Sequence, residues 1–391
     1  MVRLNNSQYT FAIFFFFYYA YLGVLGPYFT LYVDQLGFTA IQISFIMAMP
    51  QMTRILGPIF WGWLADFRQD RIGIMRITGM ISLAIFVGIF FYKAFLGIAL
   101  WMFLINTFSS SLTPLGEAAT LHYLQRTSSF ESQYGKLRLW GSIGFMLAVF
   151  ACGFWFEAQG IQTLPWVGLV TLVLVTIAIW CLWEPALEKR EIFRGQLRAI
   201  LYQPEVMWFF SSTFWMVFAH ATLYTFYSLY LQKLGFGKQV IGLFWMIAVA
   251  AEVLYFYFQK FFYGKFDPFR ILRFTFILGM VRFLVIAWFP SFWPLLFVQL
   301  FHAGTFAAHH SASIHLLQKW FKGATLARGQ ALYSVSSYGL GGTVGGLVAG
   351  WVWDAQGPRM AFAIAAVACT LGYWSIVQSQ RILQKNHHIP E

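Results

Sequence analysis

Residues 31–38 read LYVDQLGF and residues 229–236 read LYLQKLGF, a match at an offset of 198. A second pair, EAQG at 157–160 and DAQG at 354–357, recurs at an offset of 197. Two short matches at nearly the same offset mark a direct repeat in which each copy takes half of the chain. What repeats is set by the runs around them. Apolar stretches of the roughly 20 residues that a bilayer core demands fall near 9–33, 41–65, 74–92, 97–124, 136–157 and 164–183. Six more follow near 206–232, 239–262, 271–289, 292–318, 329–353 and 358–380.

The composition agrees. Of 391 residues, 59% are hydrophobic and only 10% charged, against about 25% charged in soluble chains. That excludes a soluble domain, a disordered chain, a collagen and a nucleic-acid-binding protein. The runs are too long and too uniformly apolar for the alternating strands of an outer-membrane barrel, so the fold class is an all-α membrane protein with twelve transmembrane helices. The first run is too long for a signal-peptide core and lacks a cleavage site, so it reads as an uncleaved span.

Six is an even number, so the second copy enters the membrane with the same orientation as the first. Two six-helix halves related by an axis along the membrane normal follow, at residues 1–183 and 205–391. The polar stretch 184–204 between them reads as a cytoplasmic linker. With both termini cytoplasmic, the outside segments hold only Lys93, Lys233, Lys238 and Arg359, and Arg54 and Arg282 lie within spans. The other 20 of the 26 basic residues are inside, which fixes the orientation. The setting expected is the cytoplasmic (inner) membrane of a bacterium.

Charge at mid-membrane costs roughly 2.5–3.5 kcal/mol on insertion scales, so ionisable residues there are functional candidates. They are Arg54, Glu117, Glu252 and Arg282, with Arg138 near a span end. In the fourth span Asn106, Ser110, Thr113, Glu117 and Thr120 share one helical face. The seventh carries Thr213, His220, Tyr224 and Tyr227 on one face, and the tenth Gln299, His302, Phe306, His309 and Ser313, with His310 and His315 beside them. Histidine changes charge in the physiological range, and an apolar cavity favours a neutral carboxyl, so a Glu and His pair can load and release a proton near neutrality. Tyr18, Tyr21, Tyr28 and Tyr32 of the first span could stack an aromatic or sugar ring. A hydrogen-bonding role alone remains open for His220.

No metal site or cofactor is expected. Cys152, Cys181 and Cys369 are far apart and read as small buried hydrophobes, and the lone cluster of histidines is too small for a membrane di-iron enzyme. H-E-x-x-H, P-loop and G-x-S-x-G motifs are missing, which leaves secondary transport.

Residues 62–71, GWLADFRQDR, in the loop expected after the second span, resemble the G-x-L-A-D-R-x-G-R-R/K signature of the major facilitator superfamily. Phe67 stands where Arg is usual and Arg68 is displaced by one; YGKFDPFR, around Gly264 and Asp267, is a degenerate second copy. The resemblance implies a gating role for Gly62, Asp66 and Arg68 in a cytoplasmic charge relay. YGKLRLWGSIGF at 134–145, HATLYTFYSLYLQKLGF at 220–236, AEVLYF at 251–256, GMVRF at 279–283 and LFHAGTFAAHH at 300–310 are similar to the 3-phenylpropionic acid permease branch, itself related to lactose permease-like proton symporters. That implies substrate binding by Glu117 and Arg138 and proton coupling by Glu252, Arg282, His302 and His310; it assigns no role to His309. Arg54 is shared with the branch and stands, at the 198 offset, where the second half has Glu252. A structural ion pair, gating and carboxylate binding all fit it.

The expectation is a monomeric transporter, in contact with membrane lipids, that takes up a small-molecule substrate with protons by alternating access. An aromatic carboxylate such as 3-phenylpropionate suits the arginines and tyrosines, with Arg54, Tyr21, Tyr28, His220, Tyr224 and Tyr227 as further binding residues. A sugar or nucleoside symporter and a drug or metabolite exporter are the alternatives; a membrane-embedded enzyme would need bound metal.

Overall fold

The computed structural model describes residues 6–127, 130–185, 197–263, 265–322 and 325–387, and all regular structure among them is helical. The first seven helices are α1 (Asn6–Gln35), α2 (Ala40–Arg68), α3 (Arg71–Phe86), α4 (Phe95–Ser109), α5 (Leu112–Thr127), α6 (Phe130–Gln159) and α7 (Leu164–Trp180). After them come α8 (Leu197–Leu201), α9 (Pro204–Lys233), α10 (Lys238–Tyr263), α11 (Pro268–Trp288), α12 (Phe292–Phe297) and α13 (His309–Trp320). The last are α14 (Leu326–Ser334), α15 (Gly342–Gln356) and α16 (Pro358–His387). Residues 186–196 of the expected linker and Gly264 of the second motif copy lie outside the described residues.

The chain divides into two compact units, Met1–Arg190 with Ser228–Met246, and Glu191–Tyr227 with Ile247–Glu391. Ten helical stretches among the described residues are long and apolar enough to cross a membrane. The expected tenth and eleventh spans are helical too, but wound differently along their length. Between α12 and α13 the backbone tightens to i→i+3 bonds from Gln299 to Gly304 and then widens to a π-helix over Ala303–Ala308. A second π-helix, Val335–Gly341, separates α14 from α15. The expected fourth span is likewise two helices. Ser110 and Ser111 turn their hydroxyls onto the carbonyls of Thr107 and Phe108 at 2.9 Å each, and Pro114 has no amide proton to extend the ladder of α4. The polar stripe from Asn106 to Thr120 therefore spans a break.

The repeated segments are helix stops. Gly37 (φ 86°) ends α1 and Gly235 (φ 87°) ends α9; Gly160 (φ 84°) ends α6 and Gly357 (φ 87°) ends α15. Glycine alone takes such angles without strain. Beyond the first two, Phe38 N–H donates to the Val33 carbonyl at 3.3 Å and Phe236 N–H to that of Leu231 at 3.1 Å, the six-to-one bond of a Schellman stop.

Helix packing repeats as well. A Cβ on Gly144 of α6 would collide with the Phe16 carbonyl of α1, and one on Gly341 would lie 2.6 Å from the Phe214 carbonyl of α9. Phe16 and Phe214 are 198 apart, Gly144 and Gly341 197, so each unit holds the same glycine-on-backbone contact. Large apolar side chains such as Leu56, Phe91, Leu96, Tyr257 and Trp293 are each more than half exposed. Cys152 and Cys369 are buried as expected, but Cys181 is exposed, because α7 ends one residue before it.

Candidate functional site

In the first unit, Glu117 of α5 and Arg138 of α6 meet, with Nε donating to Oε1 at 3.4 Å, both about one-third exposed. Arg138 Nη2 also donates to the Tyr19 hydroxyl of α1, and its guanidinium carbon lies over the Tyr19 ring, 4.0 Å from the centroid. Arg138 is thus held by a charge, a hydroxyl and a π-face, a bracket that fixes its plane. Gly141 leaves room for it; a Cβ there would lie 2.7 Å from the Tyr19 ring. Sequence reasoning missed Tyr19, because 119 residues separate it from Arg138.

Of the flagged tyrosines, Tyr18 lies beside this bracket, its ring 5.4 Å from that of Tyr19, but Tyr21 and Tyr28 lie elsewhere. Tyr21 is buried with its ring edge-on to Phe86. Tyr28 is fully buried, donates to the Val149 carbonyl at 2.6 Å and packs edge-on to Phe156. Arg54 is exposed on α2.

The signature motif is not a loop. Gly62, Asp66 and Arg68 ride the last two turns of α2, and the turn proper is only Gln69 and Asp70. Gln69 sits at φ 53°, and Asp70 caps α3 by accepting from Gly73 N–H at 2.7 Å. Asp66 and Arg68 are exposed there. The ionic cluster nearby is made by other residues: Glu184 Oε1 lies 2.7 Å from Arg71 Nη1 and 3.0 Å from His122 Nδ1, with the glutamate side chain 5% exposed. The sequence marked Arg71 and Glu184 only as loop and linker charges.

The second unit gathers five predicted site residues, Arg282, His302, Glu252, Tyr227 and His220, around one buried network. Arg282 of α11 is 0% exposed. Its Nη1 donates to His302 Nδ1 at 2.8 Å and to Thr305 Oγ1 at 3.0 Å, and its Nη2 to Gln299 Oε1 at 3.2 Å. Arginine has no acceptor, so His302 Nδ1 must carry the lone pair and a neutral ring then keeps its proton on Nε2. That nitrogen lies 2.9 Å from Glu252 Oε1. Gln299 Nε2 continues the network to the Tyr227 hydroxyl at 2.6 Å and the Leu295 carbonyl at 3.0 Å. Thr305, accepting from Arg282, turns its own proton to His220 Nε2 at 3.1 Å, while His220 Nδ1 donates to the Met216 carbonyl at 2.9 Å.

The direct contacts of Arg282 are therefore neutral, and Glu252 balances it through an imidazole. The i→i+3 turns before the π-helix carry Gln299 and His302, and the π-helix carries Thr305, so the irregular winding points three acceptors at one guanidinium. Tyr224 borders the network, its ring 6.1 Å from that of His302. His310 stands apart, Nδ1 3.3 Å from the Tyr333 hydroxyl, with the Phe306 ring between it and His302.

Residues 9–364 match the family described as MFS_1 like family. The chain is 24% identical over 362 residues to the probable 3-phenylpropionic acid transporter of Escherichia coli (strain K12), spanning 91% of this chain and 94% of that protein. It is 21% identical over 381 residues to the maltose permease of Geobacillus stearothermophilus, covering 95% of each. Among solved structures, a mutant of the nucleoside transporter NupG superposes with a TM-score of 0.87 at 15% identity, covering 96% of this chain and 100% of that one. Such a likeness speaks for the fold.

Proposed function

The chain belongs to the MFS_1 like family of multi-pass membrane transporters, and on that premise we propose that it imports a small aromatic carboxylate, such as 3-phenylpropionate, together with a proton. The observation that carries this is the Arg282–His302–Glu252 chain. A fully buried guanidinium whose contacts among the described residues are neutral depends on the carboxylate beyond His302 for its counter-charge. A proton on Glu252 removes that counter-charge, and an anionic substrate restores it. Proton and carboxylate then favour each other's binding, which is the coupling a symporter needs.

In the proposed cycle, Glu252 is protonated while the site is open outward, and the substrate carboxylate binds next, its ring meeting Tyr224. The neutralised protein then rearranges and releases substrate and proton inside. Uptake is inward across the bacterial cytoplasmic membrane, with both termini cytoplasmic, in keeping with the basic residues of the inside segments. A neutral sugar or nucleoside is the second reading, favoured by the Arg138 bracket, a carboxylate and guanidinium beside a stacking ring.

Charge balance separates the two. One proton with one carboxylate moves no net charge, so accumulation follows the pH gradient, about tenfold per unit. A neutral solute with one proton also responds to the membrane potential, by roughly 2.3 kcal/mol per 100 mV. Added to lightly buffered, de-energised cells expressing the protein, 3-phenylpropionate is expected to alkalinise the medium, and the signal is expected to vanish in Glu252→Gln. Alkalinisation by a disaccharide or nucleoside alone would overturn the substrate reading, and acidification would indicate export.

A further inference from the structure

The structure assigns to His309, we propose, a substrate-binding role that takes a hydrogen-bond donor, a hydroxyl or amino group on the transported molecule. This rests on the transport reading above and sharpens its substrate class.

His309 begins α13, directly after the first π-helix, and is 4% exposed. Thr275 fixes its tautomer. The Thr275 hydroxyl has one proton, which it donates to the Leu272 carbonyl at 2.8 Å. Toward His309 Nδ1, 3.0 Å away, it can only accept, so Nδ1 carries the ring proton. Nε2 is left with a bare lone pair, buried and without a hydrogen-bond partner among the described residues. An unsatisfied buried acceptor is destabilising, and the ring is not free to escape it, because Phe276 packs edge-on against it at 5.2 Å.

The place where this nitrogen can be satisfied is a small cavity lined by His220, Tyr224, Phe306, His309, His310 and Tyr333. Both π-helices border it, the first through Thr305 and Phe306 and the second through Tyr338. It has room for about one water-sized group, so what enters is one polar substituent whose parent ring lies outside. An oxyanion is disfavoured, since it would face the Nε2 lone pair. A phenolic or sugar hydroxyl, or an amino group, fits. Of the other ring nitrogens around the cavity, His220 Nε2 is engaged by Thr305 and His310 Nδ1 by Tyr333.

The test pairs each probe with a version lacking the donor: 3-(3-hydroxyphenyl)propionate with its methyl ether and with 3-phenylpropionate, and adenosine with its 5′-deoxy form. Binding to the purified protein is measured for wild type, His309→Leu and His309→Gln. Wild type is expected to prefer the donor by about tenfold, one hydrogen bond of roughly 1.4 kcal/mol. His309→Leu should reduce this to within about twofold while holding the donor-free member unchanged, and His309→Gln, which keeps an acceptor, should restore part of it. Discrimination that persists in His309→Leu, or none in wild type, overturns the role of His309 and leaves the transport reading standing. Discrimination among nucleosides with no binding of aromatic acids supports His309 and overturns the carboxylate reading; silence to every probe overturns both. Nitrogen NMR of labelled histidines supplies a check independent of any substrate: a proton on Nε2 of His309 overturns the proposal outright.

Discussion

Replacing Glu252 with Gln imitates its protonated state, and the geometry sets how large the effect should be. Arg282 Nη1 lies 2.8 Å from His302 Nδ1, and His302 Nε2 lies 2.9 Å from Glu252 Oε1. With the imidazole between, the two charges are about 8 Å apart, and at an effective dielectric near 20 their attraction is roughly 2 kcal/mol. A substrate anion that takes over as counter-charge should gain about that much when Glu252 is neutral, close to 30-fold in affinity. The sign follows. In the wild type, affinity for 3-phenylpropionate is highest at low pH, where Glu252 is protonated, and falls by up to about 30-fold as pH rises and the carboxylate competes for Arg282. In Glu252→Gln the affinity stays at the tight limit and is flat with pH.

Two assays read this. Equilibrium binding to purified protein across pH 5 to 9 gives the affinity profile. Uptake into vesicles with an imposed pH gradient gives the coupling: wild type accumulates substrate about tenfold per unit of gradient, whereas the variant only equilibrates yet still exchanges substrate across the membrane. A variant that keeps the pH dependence of the wild type, or that accumulates normally, would refute the counter-charge argument and remove Glu252 from the coupling scheme.

Other substitutions test other contacts. Gly144→Ala forces a methyl against the Phe16 carbonyl, backbone against backbone, and should cost about 1–3 kcal/mol, read as a lower melting temperature in detergent. Gly26→Ala, where a Cβ meets nothing within 4 Å, should melt with the wild type. Arg138→Lys loses the guanidinium contact over the Tyr19 ring and the planar fork, and should weaken substrate binding by about tenfold in the same equilibrium assay, a loss of roughly 1.4 kcal/mol. Glu184→Gln leaves Arg71 and His122 facing a neutral amide and should destabilise by about 2 kcal/mol; an unchanged melting temperature would show that this cluster holds nothing together.

Much of the fold was legible because it is written in local or periodic features. Apolar run lengths marked the spans, and the repeated octapeptide and tetrapeptide marked equivalent helix ends, because each closes a helix at a glycine with positive φ. The site was legible where charge is rare: Glu117, Arg138, Glu252 and Arg282 stand out against an apolar background. What escaped the sequence was decided by distant partners. Tyr19 looks like any other aromatic residue of α1 until α6 brings Arg138 over it. Thr305 looks like a helix-packing hydroxyl until Arg282 and His220 reach it from α11 and α9. Even the break at Ser110 and Ser111 depends on which carbonyls the hydroxyls choose.

The π-helices belong to this second kind, and their consequence reaches the site. In an α-helix, residues four apart are about 40° out of register around the axis. Widening the turn brings positions i and i+4 closer to alignment, and His302, Phe306 and His310, spaced by four, stack with interplanar angles of 17° and 12°. That column runs along one face, while His309, one residue off it, packs on Phe276 and Thr275. A regular helix with the same sequence would fan the column and turn His302 away from Arg282 and Glu252, breaking the hydrogen bonds that fix its tautomer. The wider winding forgoes ideal backbone geometry in this segment, and what offsets that cost is the three hydrogen bonds that the buried Arg282 guanidinium donates to His302, Thr305 and Gln299. Side-chain network and backbone irregularity therefore depend on each other, so a change that removes Arg282 should also release the winding of the helix that holds its acceptors.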